Sequence, residues 1–161
     1  MCGDTLKNAM LVDQITTTDV RMSALNLLAR REHSRHELKH KLSKRYPHFV
    51  GIEQVLDELT QENLQSDTRF VQSYVNYRCR QGKGPIRIAY ELRERGVEDS
   101  LVESCVDAHA KQWFDLIADV RAKRFGPLAP MNMASLARQK RFLQYRGFTN
   151  AQIQQLFKSH S

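Results

Sequence analysis

Residues 67–96 read DTRFVQSYVNYRCRQGKGPIRIAYELRERG, and the fold class turns on how this stretch is parsed. Phe70, Val71, Tyr74 and Tyr77 recur at helical spacing and predict an inward face. Asp67 is placed to cap the start of that helix. The GKGP at 82–85 makes a turn, and Pro85 suits the first position of a second helix because its missing N–H has no partner there anyway. Gly96 closes the second helix at its C-terminus. EDSLVESCVDAH, residues 98–109, then forms a third helix with Leu101, Val102, Cys105 and Val106 facing inward. No period-two alternation points to a strand.

The same order recurs on both sides. Upstream, SALNLLARREH places Ala24, Leu25, Leu27 and Leu28 on one broad apolar face. Ser34 and Glu37 form the S-x-x-E of a capping box, and Leu38 and Leu42 continue the second helix. After a break at Pro47 and Gly51, IEQVLDELTQE sets Ile52, Val55, Leu56 and Leu59 at helical spacing. Downstream, WFDLIADVRAKRF, SLARQKRFLQYRG and NAQIQQLF repeat the scheme. A shift of 51 residues superposes Leu92, Arg95 and Gly96 on Leu143, Arg146 and Gly147. A shift of 50 superposes Leu38, Leu42 and Arg45 on Ile88, Leu92 and Arg95. The expected fold is all-α: three tandem three-helix repeats in an elongated, curved helical array. Expected boundaries are a tail or short helix over 1–20, then repeats over 21–66, 67–110 and 111–161. Within the first stretch, the run Ala9 to Val12 reads as a docking helix or as tail.

Composition supports a folded chain and narrows its class. Of 161 residues, 41% are hydrophobic and 27% charged, proportions of a globular rather than a disordered protein. No apolar run approaches the roughly 18 residues of a membrane span. The N-terminal segment lacks the basic start and long apolar core of a secretory signal. Cys2, Cys79 and Cys105 are odd in number and widely spaced, which suggests reduced thiols and a cytoplasmic protein. Cys79 lies between Arg78 and Arg80, an arrangement that can lower a thiol's pKa, but the reading taken is a helix-surface or core thiol with no special role.

Charge follows the repeat. The net charge is +7, and residues 21–45 hold eight Lys/Arg against two acids. Residues 46–77 hold one against five, 78–95 six against two, 96–120 one against six, and 121–146 seven against none. Candidate anion- or partner-binding residues are therefore Arg30, Arg31, Lys39, Lys41, Lys44 and Arg45 in the first repeat. Arg78, Arg80, Lys83 and Arg87 follow in the second, then Lys123, Arg124, Arg138, Lys140 and Arg141 in the third.

One motif suggests catalysis. HELKH at 36–40 matches the H-E-x-x-H of zinc peptidases, in which two His on one helical face ligate Zn²⁺ and the Glu polarises a water. The repeat argues against it: His36, Glu37 and His40 correspond to Ile86, Arg87 and Tyr90, which offer no such set. Glu37 has a capping task, and neither a third ligand nor the H-x-x-G-x-x-H extension follows. With no phosphate loop and no G-x-S-x-G elbow either, the chain reads as a non-enzyme without a cofactor or metal.

The middle repeat also resembles a known family. Asp67, Arg69-Phe70, Tyr74, Gly82, Gly84-Pro85, Arg87-Ile88, Glu91-Leu92 and Arg95-Gly96 are similar to the signature of RecX, bacterial regulators of the RecA recombinase. ALNLLARREHSRHELKHKL and KRFLQYRGFTNAQIQQLF look like the family's first and last repeats, so the resemblance covers about residues 22–158. NLQSD at 63–67 departs from the family's usual turn. The resemblance implies a non-enzymatic regulator of three tandem three-helix repeats that binds the RecA filament; the chain is further expected to be a monomer, with DNA binding weak and secondary. The alternative is a stand-alone nucleic-acid module built from helix-turn-helix-like units, with basic second helices on phosphates.

Overall fold

The computed structural model describes residues 14–158, and these contain nine helices and no strand. Cys2 and the Ala9 to Val12 run lie outside the described residues. The chain forms two compact units, one up to Ser66 and one from Asp67 onward.

The first unit contains α1 (Thr17–Leu28), α2 (Arg35–Arg45) and α3 (Ile52–Gln61). A capping box that the sequence reading passed over starts α1. Thr16 Oγ1 accepts from the Asp19 N–H at 3.2 Å, and Asp19 Oδ2 accepts from the Thr16 N–H at 2.8 Å. Ser34 caps α2, its hydroxyl accepting from the Glu37 N–H at 3.1 Å. Val20, Ala24, Leu38, Leu42, Ile52, Val55, Leu56 and Leu59 form the core. These are the positions that helical spacing marked, apart from Val20.

The second unit contains α4 (Asp67–Arg80), α5 (Pro85–Glu94), α6 (Asp99–Ala108), α7 (Ala110–Phe125), α8 (Met133–Arg146) and α9 (Asn150–Lys158). Asp67 is itself the first helical residue rather than a flanking cap. Phe70, Val71, Val75, Ile88, Leu92, Val102, Cys105 and Trp113 make one apolar core; Ile117, Val120, Leu143, Phe148, Ile153 and Leu156 make another. Tyr77, expected inward, is 54% exposed. The buried arc of α4 is centred near Val71 and Arg78, about 100° of helix rotation away from Tyr77.

Two backbone features join the repeats of this unit. His109 ends α6 and leads directly into α7, its ring Nδ1–H donating to the Cys105 carbonyl at 2.7 Å. Trp113 Nε1 donates back to the Val106 carbonyl at 3.1 Å, satisfying an orphan acceptor at the end of α6. The α4–α5 turn meets the α8–α9 turn backbone to backbone. The Gly84 N–H donates to the Arg146 carbonyl and the Ile86 N–H to the Gly147 carbonyl, each at 2.9 Å. A Cβ on Gly84 would lie 2.5 Å from the Gly147 backbone, and Gly147 also needs φ +94°. The G-x-G-P and R-G motifs, read from sequence as a turn and a helix stop, are the two sides of one junction.

Candidate functional site

The fifteen candidate cations separate into distinct environments. In the first unit Arg31 pairs with Glu37 at 3.0 Å and Lys39 with Glu53, so each has a carboxylate partner within its own repeat. Arg30, just beyond the end of α1, and Lys41 and Arg45 of α2 line a cleft of about 710 Å³ together with Leu27 and Leu42. The Arg45 guanidinium lies 5.6 Å over the Tyr46 ring. Lys44 is exposed.

The three histidines of the HELKH region do not share an environment. His33 is buried, with Nδ1–H on the Arg31 carbonyl at 3.0 Å, and burial pushes its imidazole below the usual histidine range. His36 and His40 are exposed, and Glu37 faces Arg31. Among the described residues, no three His, Cys, Asp or Glu side chains gather into a possible metal-binding group.

In the second unit Glu91 organises the signature residues. Its carboxylate accepts from Tyr74 Oη at 2.8 Å, from Arg78 Nε at 2.7 Å and from Arg87 Nε at 3.2 Å. Arg95 donates to the Glu91 carbonyl at 3.0 Å and stacks 4.7 Å over the Tyr74 ring. Burial alone pushes Glu91 up, but the hydrogen bonds from Arg78, Tyr74 and Arg87 outweigh it and hold its carboxyl below the ordinary value. Burial, and then the hydrogen bond to Glu91, push the Tyr74 phenol up to about 12. Arg78, half-buried, thus clamps α4 to α5, and Arg87 is partly engaged in the same cluster.

The turn beside this cluster gathers several cations around Lys83. Burial, then the neighbouring Arg87, Arg146 and Arg78, hold the Lys83 ammonium below the ordinary lysine value. Arg146, which sequence analysis used only to mark the repeat, donates to the Gln81 carbonyl at 2.9 Å. Arg80, Lys123, Arg124 and Arg146 line one cleft of about 610 Å³ with Phe142 on its wall and Asp115 and Asp119 at its α7 side. The fold therefore brings second-repeat and third-repeat cations together. Arg138 lies 5.6 Å over Phe125 and Lys140 lies 5.9 Å over Phe157, while Arg141 is exposed.

Cys79, on the wall of the same cleft, is not activated. Burial pushes its thiol up to about 11, the opposite direction from the activation that flanking Arg78 and Arg80 can give. Adjacent helical residues project about 100° apart, so sequence neighbours do not face the sulfur, and desolvation decides the sign.

Comparison with known proteins follows the same three-part order. The model of the RecX first three-helix domain matches residues 21–59, that of the second 66–105 and that of the third 110–157. Regulatory protein RecX of Halorhodospira halophila is 42% identical over 134 residues, covering 83% of each chain. Regulatory protein RecX of Pseudomonas fluorescens Pf-5 is 40% identical over 141 residues, 88% of this chain and 91% of that one. The crystal structure of RecX from Lactobacillus salivarius superposes with a TM-score of 0.77 at 22% identity, covering 89% of this chain and 95% of that one. In order, extent and fold these matches agree, and the chain belongs to the RecX family of regulatory proteins.

Proposed function

We propose that the chain is a non-enzymatic regulator that binds the RecA–single-stranded DNA filament. It limits filament growth, and with it ATP hydrolysis, strand exchange and co-protease activity. The observation that carries this reading is the match of all three RecX domains, in order, along the chain. The distribution of cations supports it. Arg30, Lys41 and Arg45 in one unit, and Arg80, Lys123 and Arg124 in the other, present positive charge at concave surfaces. Such clusters orient an acidic partner and raise the association rate, while fixed helical faces supply the short-range fit. The protein acts as a monomer, and its affinity for bare DNA is weak and salt-dependent.

The test is RecA's single-stranded-DNA-dependent ATP hydrolysis, titrated with this protein while RecA is in excess. Inhibition well below one molecule per RecA subunit is expected, because a bound regulator then affects many subunits. Absence of inhibition at equal amounts, alongside tight binding to bare DNA, would replace this reading with the stand-alone nucleic-acid module. Charge reversal at Lys123 and Arg124 is expected to weaken inhibition more than reversal at Lys39, which already has Glu53 as a partner.

A further inference from the structure

The connection between α7 and α8 reads GPLAPMN, residues 126–132, and continues into Met133. Leu128 is 79% exposed, Met131 92% and Met133 78%. A single exposed Leu needs no explanation, but three large exposed apolar side chains within six positions concentrate apolar surface on one short segment.

Buried chemistry holds this loop in place. Arg121, only 3% exposed, lies beneath it and donates from one terminal nitrogen to the Leu128 carbonyl. Its Nε donates to Gln139 Oε1 at 2.9 Å, and its guanidinium faces the Phe157 ring at 5.8 Å. At the far end, Asn132 caps α8, its side-chain oxygen accepting from the Ser135 N–H at 2.8 Å. A buried guanidinium is costly unless its donors are satisfied, and here one of its acceptors is the backbone of Leu128, the most exposed leucine among the described residues. The conformation that presents Leu128 to water is therefore specified from inside the fold.

The surroundings indicate what covers this segment. Between residues 121 and 146 there are seven Lys/Arg and no acid, and Lys123, Arg124 and Arg138 are exposed on either side of the loop. We propose that this loop is an anchor that inserts Leu128 and Met131 into an apolar pocket rimmed by carboxylates on a protein partner. Aliphatic and thioether side chains suit such a pocket, since methionine adapts to irregular apolar surfaces. Single-stranded bases are gripped instead by aromatic faces, and residues 126–133 contain none. The inference rests on the filament reading, and the pocket then belongs to a RecA subunit rather than to the DNA.

The experiment compares the full-length chain with its L128S/M131S double variant, matched for thermal unfolding, in binding to preassembled RecA–single-stranded DNA filaments and to bare single-stranded DNA. Filament affinity is expected to fall about tenfold or more, with bare-DNA affinity unchanged. Equal filament affinity of variant and wild type would overturn the anchor while leaving the filament reading intact. A parallel loss on bare DNA would also overturn it, by making the loop a nucleic-acid contact. Failure of the wild-type chain to bind filaments would remove the filament reading and the anchor with it. A photo-crosslinking residue at position 131 gives an independent check on a chain that keeps Leu128. It is expected to label the protein subunit, and labelling of the DNA strand, or of neither, overturns the proposal.

Discussion

Replacing Gly84 by alanine tests the junction between the α4–α5 and α8–α9 turns. Gly84 has φ −86° and ψ 172°, extended backbone that alanine adopts without strain. Conformational freedom is therefore not what the position needs. The added Cβ would lie 2.5 Å from the carbonyl carbon and oxygen of Gly147 and from the Phe148 nitrogen, all backbone atoms that cannot rotate aside. Non-bonded carbons prefer roughly 3.5–4.0 Å, so the turns must part by about 1 Å. That separation carries the two 2.9 Å bonds, Gly84 N–H to Arg146 O and Ile86 N–H to Gly147 O, beyond hydrogen-bonding distance. Losing two such bonds costs about 1–3 kcal/mol, and more where the freed groups stay buried. The stiffer unfolded chain returns about 0.4–1 kcal/mol. A net loss of about 1–2 kcal/mol is expected, or roughly 5–15 °C in the melting temperature of a unit this size. Urea unfolding followed by fluorescence of Trp113, the single tryptophan and a core residue of this unit, reads the effect directly. Gly51→Ala, in the first unit and therefore followed by circular dichroism, is the comparison: its Cβ would meet only the Phe49 ring, which can turn. A Gly84→Ala midpoint within about 0.5 kcal/mol of wild type would refute the close-approach argument.

Glu91→Gln removes the charge that three donors share and is expected to cost about 2–3 kcal/mol of second-unit stability. Because the Glu91 carboxyl is held below its ordinary value of 4.5, its contribution is present above that pH and is lost as pH falls through the folded value; urea melts at pH 6 and about pH 4 compare wild type and variant. Tyr74, its phenol pushed up to about 12, should ionise above the ordinary tyrosine value of 10 in a spectrophotometric titration, and Tyr74→Phe should remove that high step. Cys79, at about 11, should react slowly with thiol reagents at pH 8 in the folded chain and rapidly in denaturant; fast labelling in the native state would contradict its burial. His33 is buried with a lowered imidazole pKa, so the unfolded chain binds more protons below about 6.5. First-unit stability is then present above that pH and declines as it falls, and His33→Gln should flatten the decline.

The helices were legible because each is short, amphipathic and closed by a local signal. Ser34, Pro85 and Gly96 act within a few residues of themselves, so their roles can be read from a window of sequence. Nearly every core position that spacing marked is buried or half-buried, and the exception, Tyr77, sits at the edge of its helical face, where a small error in the stripe's centre changes the answer. What sequence could not supply was the partner at long range. Gly84 and Arg146 meet through folding alone, and so do Arg21 and Glu62, or Arg121 and the loop it supports. Cys79 shows the same limit for chemistry. Its sequence neighbours left activation open as the lesser reading, and only packing fixes the direction, which is upward.

The same reasoning bears on which cations serve recognition. A charge block read from sequence treats Arg78 and Lys83 alike, yet their surroundings assign them different work. Arg78 faces a half-buried carboxylate that it shares with Tyr74 and Arg87, so reversing it attacks the fold before it affects any partner. Lys83 sits where Arg87, Arg146 and Arg78 raise the local potential, and its lowered ammonium value records that crowding after burial. An anion brought to this turn would meet Lys83 and Arg146 together, with Glu91 already occupying Arg78 and Arg87. The junction at Gly84 and Gly147 is what keeps Arg146 of the third repeat beside the second-repeat turn. Opening it should therefore weaken the unit and disperse this field together. Lys83→Glu should lower the field with the melting curve unchanged, and the difference between those two outcomes separates a residue that builds the surface from one that uses it.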